Sequence, residues 1–399
     1  MRDLQYYEQR VNERFGTSAA PPIATAMLPE AGAWHPLRWR RVPRDRVEVF
    51  EDGSELAVSV AASIMSDGTV YMPVHPMEDS RWSDEDLVTS GSITVSASYR
   101  TVFFQPEPGG LLAGTVGDDE VLMIKLHLEA PLPGIAGDRR LDRARVDKCV
   151  RLGASLREVL EGDPLAERLT VVPEFLGCAA SGHGVLYRAL PRAGVVPLFS
   201  LTSRDPEDGE SLLTSWVRRR YGDDATLAAG EFGDQFARPL VRSLFAGFRA
   251  GFSLEMHAQN TLIAPGEGEL IDEVFFRDLE GVVFSNAYRE ERRLGRLFEG
   301  VDNEELKNES GSLVRWFNRN LDHDLGRVFN AALADLQRGG LFGADEQRVA
   351  VRSIRRVVRK AVAEAGLERL YRPGRWLPIS RSPYGNGLSK GHYYRTRYR

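Results

Sequence analysis

Two polar motifs, Glu255-Met256-His257-Ala258-Gln259-Asn260 and Arg277-Asp278-Leu279-Glu280-Gly281, carry side chains that could do chemistry together. Asn260 offers an amide oxygen, and Asp278 and Glu280 offer carboxylate oxygens. These are hard donors of the kind that hold Mg²⁺, one or two at a time, alongside substrate phosphates. The residues between the motifs explain how they could meet. Thr261 to Ala264 reads as a short apolar strand, Pro265 to Gly268 as a turn, and Leu270 to Phe276 as a second strand, so a hairpin sets the two motifs side by side. Each residue also has an ordinary use: His257 as a core histidine, Gln259 and Asn260 as caps or turn residues, Asp278 as a strand-end partner of Arg277. Their concentration at the ends of one hairpin favours a nucleotide and metal site.

Candidate cations for such a site occur earlier in the chain. The segment from Thr94 to Phe103 alternates as one strand that carries Ser98, Arg100 and Thr101 on or near one face, a possible phosphate cradle or a decorated solvent face. Lys125 interrupts the apolar strand Val121 to Leu128. An ammonium there needs an anionic partner, either a nucleotide phosphate or a local carboxylate. Arg139 and Arg140 precede a helix, and Arg188 lies on the strand Gly184 to Leu190. His75 ends the strand Tyr71 to Val74, at a sheet rim or bonded to a loop carbonyl. Lysine occurs only at Lys125, Lys148, Lys307, Lys360 and Lys390, which makes each one more noticeable.

The elements that must position these groups fall into two halves. Up to about Glu207 the pattern is mainly that of strands, including Leu37 to Val42, Glu55 to Ile64 and Leu169 to Leu176, with helices over residues 3–15 and 141–161. Beyond it the spacing is helical, near residues 211–221, 233–256, 290–297, 304–338 and 344–365. A mainly β lobe over residues 1–205 and a mainly α lobe over residues 206–399 are expected. The run Arg352, Arg355, Arg356, Arg359 and Lys360 lies along one helix face, the usual place for a solvated stripe.

Composition narrows the function classes. The chain has 399 residues, 42% hydrophobic and 27% charged, enough to bury a sizeable core. A net charge of −5 gives no overall electrostatic footprint for nucleic acid, although the tail from Ser389 to Arg399 is basic and aromatic. The two cysteines, Cys149 and Cys178, sit in apolar segments and read as reduced core thiols, which points to the cytoplasm. The first residues lack an apolar signal core, and no run suits a membrane span.

Taken in order, the motifs resemble a known family. The segment Glu255 to Asn260 is similar to the Glu-Ala-His-Gly-Gln-Asn signature of the siderophore synthetases that work without a nonribosomal template, the IucA/IucC-like family. Arg277 to Gly281 resembles its Arg-Asp-x-x-Gly, Ser98 to Thr101 its Ser-x-Arg-Thr, and Lys125 its following strand lysine. Arg188 to Pro191 resembles its Arg-Glu-x-Pro, and Val74 to Pro76 its Val-His-Pro-Trp. Leu28-Pro29-Glu30 followed by Leu37-Arg38-Trp39 is similar to the segment and strand that precede it. Ala258, Ala189 and Met77 stand where the family has Gly, Glu and Trp.

The resemblance implies an α+β protein described as fingers, palm and thumb, with ATP and Mg²⁺ at a kinase-like site between fingers and palm. A shortened N-terminus would leave the thumb, with its Gly-His-Pro-x-His-Pro-x-x-Lys motif, largely absent. The implied activity is ATP-dependent activation of a carboxylic acid as an acyl-adenylate, then amide or ester formation with an amine or alcohol, in siderophore or related natural-product biosynthesis. Ser98, Arg100, Thr101, Lys125, and Arg139 or Arg140 would hold phosphates. Glu255, Gln259, Asn260 and Asp278 would bind metal and nucleotide, while His257 and Arg188 would sit by the reacting groups. A homodimer or a partner synthetase subunit would be compatible. The same motifs also resemble the loops of kinase-like phosphotransferases. That similarity keeps a phosphotransferase, or a nucleotide-binding subunit without catalysis, as alternatives.

Overall fold

The computed structural model describes residues 2–11, 27–129, 140–297, 313, 317–318 and 320–368. It divides into two compact units. The first comprises the described residues up to Ala154 together with Val172–Gly194, and the second comprises Ser155–Val171 and the described residues from Val195 onwards. The turn to helical spacing near Glu207 thus lies about twelve residues past Val195, where the second unit resumes.

The first unit is built on one antiparallel sheet. Its strands are β1 (His35–Pro43), β2 (Glu48–Glu51), β3 (Met65–Ser66), β4 (Thr69–Val74), β5 (Leu87–Val95), β6 (Thr101–Gln105) and β7 (Glu120–Leu126). The short β8 (Leu169–Val171) belongs to the second unit, and β9 (Leu176–Ala180) and β10 (His183–Pro191) return to the first. The nine strands are ordered β2-β9-β10-β7-β6-β5-β1-β4-β3. One face carries Val102, Phe104, Leu122, Ile124, Leu126, Val185 and Tyr187 into the main core. Behind β9 and β10, Val146 of the helix Arg143–Leu160 packs so closely on Gly177 and Gly184 that a Cβ at either position would collide with it. Cys149 and Cys178 are both free and buried.

Three sequence expectations change, two in this unit and one in the second. Residues Glu55–Ile64 form a helix rather than a strand. The Ser54 hydroxyl caps it by accepting from the Ala57 N–H, and Ala57, Val60, Ala61 and Ile64 are buried at helical spacing, which outweighs the β-branched residues. The expected single strand from Thr94 to Phe103 is two strands joined by a tight turn. Tyr99 has φ +64, and Ser98 Oγ accepts from the Thr101 N–H at 3.1 Å. Finally, the helix expected over 233–256 begins with a π-helical turn, continues as Arg238–Arg249, and stops there because the chain turns at Gly251 with φ +89.

His75, just past β4, is 1% exposed, and its ring bridges two backbone groups. Nδ1 accepts from the Met77 N–H at 3.2 Å, which leaves Nε2 to donate to the Tyr99 carbonyl at 3.1 Å. Burial lowers its pKa from 6.5 to about 4. Between those values the unfolded chain binds a proton that the folded chain refuses, so this contribution is complete above pH 6.5 and is lost as pH falls towards 4. The loss is on the order of 3 kcal/mol. Asp79, raised by burial to about 6, acts in the opposite sense over much of the same range. The difference between the stability–pH profiles of wild type and His75→Gln therefore isolates the histidine. The variant is expected to show the flatter acid limb in urea titrations, and identical limbs would contradict the assignment.

The second unit is mainly helical around a small sheet ordered β11-β13-β14-β8, where β11 is Val196–Pro197, β13 Thr261–Ala264 and β14 Glu273–Phe276. A separate two-stranded ladder pairs β12 (Phe252–Ser253) with β15 (Val283–Phe284). Leu240, Val241, Leu244, Phe245 and Phe248 of the helix Arg238–Arg249 are buried and anchor the chain that leads into these strands. Where a helix was expected over 290–297, one runs over Asn286–Glu291, started by the Ser285 cap. On the helix Ala344–Glu364, Ser353, Ile354, Val357, Val358 and Ala361 are buried, while Arg352, Arg355, Arg356, Arg359 and Lys360 face solvent as the sequence suggested. The helix expected over 3–15 is seen as Leu4–Gln9, and the one expected over 304–338 as a π-helical Asn320–Leu325 that continues into Gly326–Arg338, while residues 12–15, 304–312 and the whole C-terminal tail lie outside the described residues. Among the described residues no helix is long and apolar enough to cross a membrane.

Candidate active site

The expected hairpin forms. Strands β13 and β14 pair antiparallel from Thr261↔Phe276 to Ala264↔Glu273, and the ladder is extended by the Arg277 N–H donating to the Asn260 carbonyl at 2.9 Å. The Arg277 guanidinium then closes on the Gln259 carbonyl through Nε at 3.1 Å and one terminal nitrogen at 2.9 Å. Asn260 and Asp278 are thus fixed at adjacent strand ends.

Before the hairpin the chain over Leu254–His257 is not helical and then turns through Ala258–Asn260, and its exposure alternates. Leu254, Met256 and Ala258 are buried, whereas Glu255, His257 and Gln259 are partly accessible. The sequence read this segment as the end of a helix, where residues two apart would not share a face. Backbone N–H groups of Gln259 and Asn260 lie 3.2 and 3.3 Å from His257 Nδ1, which directs the ring proton to Nε2, 4.0 Å from Glu255 Oε2. Asn260 Nδ2 donates to the Glu255 carbonyl at 3.3 Å, so the amide is oriented and its oxygen is kept as an acceptor.

Two backbone features mark this site further. Asp278 has φ +71 and ψ +80, a left-handed conformation unusual for a residue with a side chain, though aspartate and asparagine tolerate it best. At Gly281 a Cβ would collide with the Glu255 carboxylate, so any side chain there must displace that carboxylate. Gly281→Ala is expected to leave the fold intact and push Glu255 out of place, with about a 100-fold loss of nucleotide turnover. Unchanged turnover in a variant of normal melting temperature would exclude a role for Glu255.

In the first unit, Thr101, Lys125 and Leu186 lie directly opposite one another on β6, β7 and β10, and Arg188 is two residues beyond Leu186. Strand alternation therefore places Thr101, Lys125 and Arg188 on one face, away from the main core. All three are buried, with Lys125 at 0% exposure, so the lysine is enclosed as its interruption of an apolar strand suggested. Arg188 pairs with Glu174 at 3.5 Å, both side chains being almost inaccessible. Glu174 was not singled out in the sequence. Its signal is a carboxylate set among Val171, Val172, Phe175 and Leu176, where an ion partner is needed. Ser98 and the buried Arg100 belong to the turn before β6 rather than to the strand. Arg140 is exposed and lies 3.9 Å from Glu129, while Arg139 is outside the described residues.

The oxygen donors Glu255, Asn260 and Asp278 suit Mg²⁺, and Asn260, whose amide nitrogen is already committed, presents the type of atom that ion takes. The buried cations of the first unit suit anions. No family model and no curated protein sequence matches the chain. Solved structures do. ATP-bound aerobactin synthetase IucA from a hypervirulent pathotype of Klebsiella pneumoniae matches with a TM-score of 0.68 over 92% of this chain and 71% of that one, at 20% identity. Aerobactin synthetase IucC from the same source gives 0.59 over 86% of this chain and 65% of that one, at 16% identity. The petrobactin biosynthesis protein AsbB from Bacillus anthracis gives 0.55 over 86% and 64%, also at 16% identity. The chain therefore has the mixed α+β fold, with its large antiparallel sheet, of the template-independent siderophore synthetases that its motifs resemble.

Proposed function

We propose that this protein is a member of that synthetase family: an ATP-dependent ligase that activates a carboxylic acid as an acyl-adenylate and passes the acyl group to an amine or alcohol. The observation that carries the reading is the hairpin that fixes Asn260 beside Arg277 and Asp278, with Glu255 seated on Gly281. In the proposal Glu255, Asn260 and Asp278 hold Mg²⁺, and Gln259 contacts the nucleotide. When bound, Mg²⁺ would offset the charge of the phosphates. His257, whose Nδ1 is occupied by backbone N–H groups, presents an Nε2 proton that can hydrogen-bond a reacting oxygen.

Bringing a carboxylate to an α-phosphate sets two anions against each other, so the reaction needs fixed cations. The buried Arg100, Lys125 and Arg188 of the first unit are cations of this kind, with Ser98 and Thr101 as hydroxyl donors and Arg140 more exposed. Burial favours this role, because a guanidinium held by Glu174 reorganises little when charge develops. In this reading the first unit corresponds to the fingers and the second to the palm, and the acid and its acceptor are small molecules.

The test is incubation of the purified chain with ATP, Mg²⁺ and a panel of di- and tricarboxylic acids, resolving the nucleotide products. The expected result is AMP and pyrophosphate that depend on one acid. Formation of ADP would assign a phosphotransferase instead, and nucleotide binding without any turnover would assign a binding subunit.

A further inference from the structure

Apart from the residues used above, the end of β7 and the start of β10 bring two imidazoles and a carboxylate together. The ligating atoms of His127, Glu129 and His183 all lie within 4.8 Å of one another, the only such grouping of at least three His, Cys, Asp or Glu residues among the described residues. His127 Nε2 is 3.4 Å from Glu129 Oε1, and the two imidazole centroids are 4.3 Å apart.

The remaining contacts of each side chain suit metal ligation. His127 Nδ1 lies 3.1 Å from the Leu141 carbonyl and His183 Nδ1 lies 3.3 Å from the Ser181 carbonyl. A proton on each Nδ1 can donate to those carbonyls, the arrangement that orients metal-binding histidines and leaves Nε2 with its lone pair. The Leu141 N–H also faces His127 Nδ1 at 3.2 Å, so what Nε2 meets selects the tautomer. His183 Nε2 is buried and has no hydrogen-bond partner among the described residues. An unmet buried nitrogen is unusual and calls for an occupant.

Glu129 is held from the other side. Arg81 contacts Oε2 at 2.5 Å, Arg140 lies 3.9 Å from Oε1, and the Glu129 N–H donates to Glu78 Oε1 at 2.8 Å. Oε1 is thus the oxygen turned to the histidines. Beside them is a cavity of about 30 Å³, lined by Arg40, His75, Trp82, His127 and His183, with room for about one water molecule.

We propose that His127, Glu129 and His183 bind one divalent transition-metal ion of the Zn²⁺ class, with water from the adjoining cavity in the fourth position. Two imidazole nitrogens and one carboxylate oxygen form a donor set that suits Zn²⁺ or Co²⁺ and not Mg²⁺, which separates this site from the nucleotide site. Filled, it ties the end of β7, two residues beyond Lys125, to the β9–β10 turn.

The test uses the full chain stripped with chelator and titrated with Zn²⁺ alone, then with Co²⁺ as a spectroscopic probe. One equivalent of Zn²⁺ that raises the melting temperature, with a visible Co²⁺ absorption of low coordination number, is expected. Both are lost in His183→Ala and in Glu129→Gln, and both persist in Asp278→Asn. His183 follows an exposed turn and Glu129 is partly exposed, so folded variants are obtainable and are verified by circular dichroism. Absence of stoichiometric binding, binding unchanged in both ligand variants, or binding lost in Asp278→Asn would each overturn the proposal.

Discussion

Asp278→Asn is expected to reduce acid-dependent AMP formation by about 100- to 1000-fold while leaving the melting temperature within a few degrees of wild type. Asparagine tolerates the left-handed backbone found at this position nearly as well as aspartate, so the exchange removes the charge and little else. Alanine there would add backbone strain and confuse the two effects. The loss should include the Mg²⁺ dependence of ATP binding, measured by titration calorimetry with and without the metal. If Asp278→Asn turns over ATP normally, Asp278 does not hold the metal, and the left-handed conformation needs another explanation.

Glu174→Gln is expected to cost about 3–5 kcal/mol of folding stability, measured by urea denaturation with an unchanged m-value. Glu174 and Arg188 are 0% and 2% exposed, so removing one charge strands the other in a medium that solvates it poorly. Surface pairs such as Arg143 with Glu48 carry no comparable effect, because water screens them. A second variant, Glu174→Leu with Arg188→Met, should recover most of the stability and none of the activity. Wild-type activity in that double variant would show that Arg188 serves the fold alone.

How much the sequence revealed depended on whether local signals acted alone. The β13–β14 hairpin was legible because an apolar strand, a Pro-Gly turn and a second apolar strand follow each other within a few residues. The helix Ala344–Glu364 was legible because its apolar residues recur at helical spacing over several turns. Glu55–Ile64 was misread because its valines and isoleucine suit a strand, and the deciding features were the Ser54 cap and burial against the sheet. The turn at Ser96–Arg100 was hidden inside an alternating run, since nothing in Ser-Tyr-Arg announces a positive φ at Tyr99.

The candidate residues separated in the same way. Asn260, Arg277 and Asp278 meet through one hairpin, so spacing alone indicated their proximity. Thr101, Lys125 and Arg188 share a face through the register of β6, β7 and β10, which brings residues up to 87 positions apart in the chain to the same side of the sheet. No local pattern encodes that register. His127, Glu129 and His183 passed unnoticed for this reason, their ligating atoms meeting across the end of β7 and the β9–β10 turn.

The central claim is that a carboxylate attacks the α-phosphate of ATP, and isotope transfer tests it most directly. The active acid is labelled with ¹⁸O in its carboxyl group and incubated with the protein, ATP, Mg²⁺ and hydroxylamine, and the products are read by mass spectrometry. Attack at the α-phosphate followed by capture of the acyl group predicts a hydroxamate and AMP carrying one carboxylate oxygen. Label recovered in inorganic phosphate beside ADP, or AMP without label, would contradict it.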